Sequence, residues 1–254
     1  MREFSEEFLK RLAKPGIPAI CVSVMGSTVK EVKESLTSAV MARPDCIEFR
    51  ADSLSVPFEC EIAAPEIGPD SGGLPLIFTY RTKKEGGASE ITDEDYVKLL
   101  TKAAEENWAD LIDVECIDKS YDVKRLIEDI HDKGAAVVGS YHNFYATPSV
   151  EEIVSLLGRE AELGADVLKA AFMPKTRLDV LHVMEATVIA KEKFNKSIVT
   201  MSMGRSGRLS RLTGGFTGSC LTFGSAGKES APGQIGALTL RKEICELYSY
   251  WDEQ

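Results

Sequence analysis

Lys169 is the residue whose setting most invites chemistry. It lies in Val167-Leu168-Lys169-Ala170-Ala171-Phe172, a short apolar run from which a lysine has little room to reach water, and lysine is rarely buried unpaired. Burial disfavours the ammonium form, so this amine is expected to have a lowered pKa. From a reference value of 10.4, only roughly one unperturbed lysine in 2,500 is neutral at pH 7. Lowering it makes the amine a nucleophile able to attack a ketone and form a Schiff base. His142, in Ser140-Tyr141-His142-Asn143, titrates near neutrality and can move protons. Arg50, Arg81 and Arg211 offer a positive lining suited to a small carboxylate. A nucleophilic lysine, a proton shuttle and a carboxylate clamp imply imine-assisted elimination or aldol chemistry. Plainer readings stand beside these: Glu48 and Arg50 as a mutually neutralising core pair, and His142 as a satisfied structural histidine. A non-catalytic sugar-acid binding protein would need no nucleophile at all.

The elements that must position these residues are short and β-branched. Eight candidate strands begin near residues 20, 46, 76, 111, 135, 165, 197 and 220, with amphipathic helical stretches between most of them. One stretch opens at Asp93 and another at Ser149, where Glu152 completes a capping-box pattern. Starts roughly 30 residues apart fit βα units, and eight of them imply an α/β fold, a (β/α)8 TIM barrel forming a single domain over residues 1–254. An open doubly wound sheet is the competitor, but no Gly-x-Gly-x-x-Gly follows the first strand. Strand parity puts Glu48 with Arg50, Thr79 with Arg81, Ser140 with His142, and Lys169 with Val167 and Ala171 on inward faces. Their place in the later half of each strand is the catalytic end of such a barrel. The stretch Pro57 to Gly73 reads as a variable loop. Gly224 to Ser230 lacks the spacing of a phosphate loop and reads as a lid that brings Ser230 and Gln234 onto a substrate.

Composition narrows the class. The chain has 254 residues, with 40 acidic against 30 basic side chains and a formal charge of −10. That balance argues against a nucleic-acid partner. No apolar run is long enough to span a membrane, and the charged N-terminus lacks a signal core, so a cytoplasmic protein is expected. The six cysteines and three histidines show no metal-ligand spacing, so no metal is expected.

Several motifs together resemble the type I 3-dehydroquinate dehydratases, cofactor-free lyases of the shikimate pathway. They are Cys46-Ile47-Glu48-Phe49-Arg50, Tyr80-Arg81-Thr82 with Glu85-Gly86-Gly87, Ser140-Tyr141-His142-Asn143, Val167-Leu168-Lys169, Met201-Ser202-Met203-Gly204 and Ser230-Ala231-Pro232-Gly233-Gln234. The resemblance implies a (β/α)8 barrel, a homodimer, no cofactor and 3-dehydroquinate as substrate. It implies that Lys169 forms the imine, His142 carries the proton, and Glu85 holds and tunes the histidine. Arg211 then meets the carboxylate. Ser23, Glu48, Arg50, Arg81, Ser230, Ala231 and Gln234 would bind or shape the polar side of the pocket, and Met201, Met203 and Phe223 its apolar walls. Gly204-Arg205-Ser206-Gly207-Arg208 departs from the family's usual Ala-Lys-Glu-Gly by adding cations, while the spacing to Ser210-Arg211 favours Arg211 as the carboxylate partner. Within the same chemistry, a class I aldolase is the nearest rival.

Overall fold

The computed structural model describes residues 3–14, 16–56, 59–227 and 229–249, with side chains from residue 6 onward. Pro57 and Phe58 of the expected loop and Lys228 of the expected lid lie outside the described residues. The strands are β1 (Ala19–Val24), β2 (Cys46–Arg50), β3 (Leu76–Thr79), β4 (Leu111–Glu115), β5 (Ala136–Asn143), β6 (Val167–Phe172), β7 (Ser197–Ser202), β8 (Leu221–Ser225) and β9 (Ile235–Gly236). The helices are α1 (Glu3–Ala13), α2 (Val29–Met41), α3 (Cys60–Asp70), α4 (Asp93–Glu105), α5 (Val123–Asp132) and α6 (Val150–Glu162). They continue as α7 (Arg177–Phe194), α8 (Arg208–Leu212), α9 (Gly214–Thr217) and α10 (Ala237–Leu247).

All ladders are parallel, in the order β7-β6-β5-β4-β3-β2-β1-β8-β9. The sheet curls into a barrel whose seam, between β7 and β8, is thinner than a ladder. One parallel bridge joins Ile198 to Ser219, and the Cys220 N–H donates to the Ile198 carbonyl at 2.8 Å. Eight strands were expected; the two-residue β9, paired to β8 through Gly224 and Ile235, is an addition.

Alternation along the strands builds two apolar layers. Ile47, Phe49, Phe78, Leu168, Ala170 and Phe172 pack outward against the helices, while Cys46, Ile77, Leu111, Val138, Val167 and Ala171 fill the interior. Phe8 and Leu12 of α1 join the interior layer, so α1 plugs the N-terminal mouth and leaves the other mouth open for chemistry. The α6 start forms as expected: the Ser149 N–H donates to Glu152 Oε2 at 2.8 Å and the Glu152 N–H to Ser149 Oγ at 3.3 Å.

The described part of the Pro57 to Gly73 stretch, residues 59–73, is not a plain loop. Most of the stretch is α3, despite Pro65 and Pro69 inside it. Its buried Cys60, Ala63, Ala64 and Ile67 follow helical spacing, and packing that stripe against the sheet overrides the proline penalty of about 3 kcal/mol.

The turn after β3 depends on glycine. Gly86 has φ +88°, and a Cβ on Gly87 would lie 1.8 Å from the Arg81 carbonyl oxygen. Backbone cannot yield at that distance, so Gly87→Ala should cost about 1–3 kcal/mol or more. Gly68 in α3 has nothing within 4 Å of its would-be Cβ, and Gly68→Ala should gain about 0.5–1 kcal/mol. Thermal unfolding of the two variants checks this; similar melting temperatures would contradict the crowding argument.

Candidate active site

Lys169 sits mid-strand, one layer deeper than the strand ends, and is 4% exposed. Its Nζ meets Asp113 Oδ2 at 2.9 Å and Glu48 Oε1 at 3.3 Å, and stands 4.8 Å from the centroid of the Phe223 ring. Burial alone would lower the amine's pKa, as expected from sequence. Asp113 and Glu48 outweigh it, however, and hold the ammonium above its usual range. The expectation of a lowered pKa is therefore corrected: the pocket that dehydrates this lysine also supplies its counter-charges.

Glu48 and Arg50 act on each other through charge, but their direct partners are others. Glu48 accepts from Ser23 Oγ at 2.6 Å and Thr79 Oγ1 at 3.0 Å. Arg50 instead forms a two-pronged pair with Asp52, Nε to Oδ1 and Nη2 to Oδ2, both at 2.8 Å. Asp52 lies in the turn just beyond β2, so strand parity gives no sign of it. Asp113 is the other residue missed. It accepts from Arg81 Nη2 at 2.7 Å and Ser140 Oγ at 2.6 Å. Burial would raise the carboxyl, but Arg81 and Lys169 hold it well below its usual range. The signal was present: in Leu111-Ile112-Asp113-Val114-Glu115, alternation puts both carboxylates inward, as it does Glu48 and Arg50.

His142 stands on β5, next to β6. Its backbone N–H donates to Glu85 Oε2 at 3.0 Å, and its Nδ1 lies 3.2 Å from the same oxygen. Burial and the cations Arg81 and Lys169 pull the imidazole well below its usual pKa, so it is neutral at pH 7. Burial and neighbouring Glu115 push Glu85 up to about 8. A neutral imidazole with one nitrogen toward Glu85 leaves the other free to take a proton.

Arg211, at the end of β7's following helix α8, is 1% exposed. Its Nη1 approaches Met201 Sδ at 3.4 Å, while Nε and Nη2 have no hydrogen-bond partner among the described residues. Burial brings its pKa down to about 10, which leaves it cationic at pH 7. A buried guanidinium with two idle donors is a receptor for a carboxylate.

One pocket collects these groups. Glu48, Arg50, Arg81, Glu85, His142, Lys169 and Arg211 line it, with Met201, Met203 and Phe223 as apolar wall. Ser230, Ala231 and Gln234 cover it from the segment after β8. Ser23 lies beneath that cover rather than in the lining. Gln234 Nε2 donates to Ser230 Oγ at 2.8 Å, Ser230 Oγ to Ser23 Oγ at 2.8 Å, and Ser23 to Glu48. The cover is thus tied by directional hydrogen bonds to the carboxylate that faces Lys169. The cavity beneath this cover is small, about 40 Å³, and its mouth is partly open.

A family profile described as type I 3-dehydroquinase matches residues 20–249. The 3-dehydroquinate dehydratase of Klebsiella pneumoniae subsp. pneumoniae is 41% identical over 238 residues, covering 92% of this chain and 94% of that one. Its counterpart in Listeria monocytogenes is 43% identical over 236 residues, with coverages of 92% and 94%. Among solved structures, the type I 3-dehydroquinate dehydratase of Clostridium difficile, carrying covalently modified comenic acid, is 37% identical with a TM-score of 0.86 and coverages of 92% and 94%. The 3-dehydroquinate dehydratase of Geobacillus kaustophilus is 29% identical with a TM-score of 0.88, covering 92% of each chain.

Asp113→Asn removes the charge between Arg81 and Lys169 and leaves two buried cations facing each other. Stability at pH 7 should fall by about 3–5 kcal/mol. The native Asp113 is ionised far below its unfolded pKa of about 3.9, so its contribution is present above that value and fades as pH falls beneath it. Urea unfolding should show the gap between wild type and variant narrowing below about pH 4. A pH-independent gap, or none, would contradict the pairing.

Proposed function

The chain belongs to the type I 3-dehydroquinase family, and from that premise we propose that it dehydrates 3-dehydroquinate to 3-dehydroshikimate, the third step of the shikimate pathway, through an imine on Lys169. The observation that carries the reading is a single pocket holding a buried lysine amine, a neutral histidine and an arginine with unpaired donors. The Clostridium difficile relative with its covalently modified ligand is consistent with covalent chemistry in such a pocket.

Substrate carboxylate docks on Arg211 Nε and Nη2, which fixes the ring and brings its ketone to Lys169. The ammonium gives up a proton to a neighbouring base, of which neutral His142 is one, and the free amine adds to the carbonyl carbon. The base returns that proton to the carbinolamine hydroxyl, which leaves as water and gives an iminium. That cation occupies the place of the ammonium, so Asp113 and Glu48 stabilise it without rearrangement. His142 then takes the proton from the carbon next to the iminium, and the electron pair is delocalised onto nitrogen as an enamine. Collapse of the enamine expels the hydroxyl one carbon further on, with His142 returning its proton to form water. Hydrolysis of the remaining iminium frees the product and restores Lys169. The electron sink is the imine itself, so the reaction is proposed to run without metal or cofactor.

The cover residues Ser230, Ala231 and Gln234 close over bound substrate, while Ser23, Arg50 and Arg81 shape the hydroxyl side. Met201, Met203 and Phe223 keep the reacting carbons dry. We assign this work to one catalytic barrel, in a cytoplasmic homodimer whose partner in chemistry is a small molecule rather than a membrane or nucleic acid. Among the described residues no helix is long and apolar enough to cross a membrane.

Two experiments test this. Turnover of 3-dehydroquinate should appear as rising ultraviolet absorbance of the conjugated enone. With borohydride present, a stable ligand mass should appear on the peptide containing Lys169. Lys169→Ala should gain none and lose several powers of ten in activity. His142→Ala should be nearly inactive yet still trap an adduct, more slowly, because removal of the carbon-bound proton follows attack on the ketone and the ammonium proton has other acceptors. Label on another lysine would overturn the assignment.

The arginines separate by geometry. Arg211→Ala should cost roughly 2–5 kcal/mol in kcat/KM, as lost buried charge pairs do. Arg208, whose Nη2 reaches the Gln234 carbonyl at a long 3.4 Å, and Arg205 should each matter far less when changed to Ala. Steady-state kinetics in which Arg208→Ala is the most damaging change would move the carboxylate site.

A further inference from the structure

Glu85 has a second face that the reaction does not use. Oε2 serves His142, whereas Oε1 meets the Nζ of Lys119 at 3.0 Å. The same Nζ lies 2.5 Å from Glu115 Oε2, and the Lys119 side chain is only 8% exposed. Lys119 is outside the pocket lining, so it cannot touch substrate. Its preceding residue, Asp118, has φ 55°, a left-handed conformation unusual for a non-glycine, and this turn brings the lysine back toward the strand end.

The groups that face Glu85 leave it few cations. They are Arg81 after β3, Glu115 on β4, Lys119 and Tyr121 after β4, and His142 and Tyr141 on β5, with Cys116 after β4 and Glu160 of α6 farther off. Arg81 stands 3.6 Å from Glu85 Oε2 but is engaged more closely by Asp113 and Glu115, at 2.7 and 3.1 Å. Lys119 is therefore the nearer of two cations on Glu85, and the one that holds Oε1.

We propose that Lys119 is a positioning residue for proton transfer: bound to Glu85 Oε1, it favours the ionised carboxylate and turns Oε2 toward His142 Nδ1, fixing the histidine tautomer whose Nε2 is free to take the substrate proton. The inference rests on His142 being the proton carrier. A carboxyl already pushed up by burial and Glu115 needs such a cation to ionise near neutral pH. Removing it raises the Glu85 pKa further, so the acid side of the kcat profile moves to higher pH.

The test compares kcat against pH for wild type, Lys119→Met, Lys119→Gln and Lys119→Arg with 3-dehydroquinate. Loss of charge in the Met and Gln variants should shift the acid limb up by about one pH unit or more, and lower kcat at pH 7 about tenfold. KM should change little, since Lys119 does not contact substrate. Lys119→Arg, which keeps the cation, should hold the limb near its wild-type position. The Gln variant retains a hydrogen-bond donor for Glu115 and decides the matter if the Met variant fails to fold. Acid limbs of the charge-removing variants that superimpose on wild type would overturn the proposal and leave Lys119 as a neutraliser of Glu115. Absence of turnover by wild type would instead sink the functional reading beneath it.

Discussion

A lysine cation buried between two carboxylates inside a closed sheet sets the terms for the rest of this molecule. Lys169 faces Asp113 and Glu48, and none of the three can stand alone in that interior, because an unpaired buried charge costs several kcal/mol. Each carboxylate has further demands, which draw in the neighbours. Asp113 takes Arg81 and Ser140; Arg81 takes Glu115; Glu115 and Glu85 take Lys119. On the other side Glu48 takes Ser23 and Thr79. The polar interior is one connected network, and parallel strands are what allow it, since alternation delivers a polar side chain from each strand to one enclosed space.

Two members stand apart from that saturation, and function is read there. Arg211 has the burial of the others, yet its Nε and Nη2 have no hydrogen-bond partner among the described residues, which is the ground for proposing it as the carboxylate's partner. His142 is pressed to neutrality by the surrounding cations, which makes it a proton acceptor at pH 7. The cover is tied to the lysine's side of the pocket through chemistry rather than bulk: its glutamine and serine donate toward Ser23 and thence Glu48. With the cover in place, the lysine and its counter-charges sit in a dry setting in which charges act strongly.

Much of this was legible in the sequence because it is periodic. Strand starts, inward parity of Glu48, Arg50, His142 and Lys169, and the capping box at Ser149 are local properties of the chain. What failed needed the third dimension. The sign of the Lys169 pKa shift depends on Asp113, which arrives from a strand 56 residues away. Arg50 finds Asp52 in a turn beyond strand parity. The helix over Cys60–Asp70 hides behind its prolines because burial, not propensity, stabilises it. Lys119 escaped notice for a similar reason: it is an ordinary charged residue in a loop until the fold sets it beside Glu85.

The central claim is that the nucleophile rests as an ammonium held by Asp113 and Glu48, rather than as a desolvated neutral amine. Nitrogen-15 labelling of lysine side chains, with Lys169 identified by its loss in Lys169→Ala, lets its Nζ be titrated directly by NMR in the free protein. The account predicts that Lys169 titrates with its midpoint above the ordinary lysine value of about 10.4. A midpoint below about 8, in the range of lysines whose ammonium is disfavoured by burial, would contradict it.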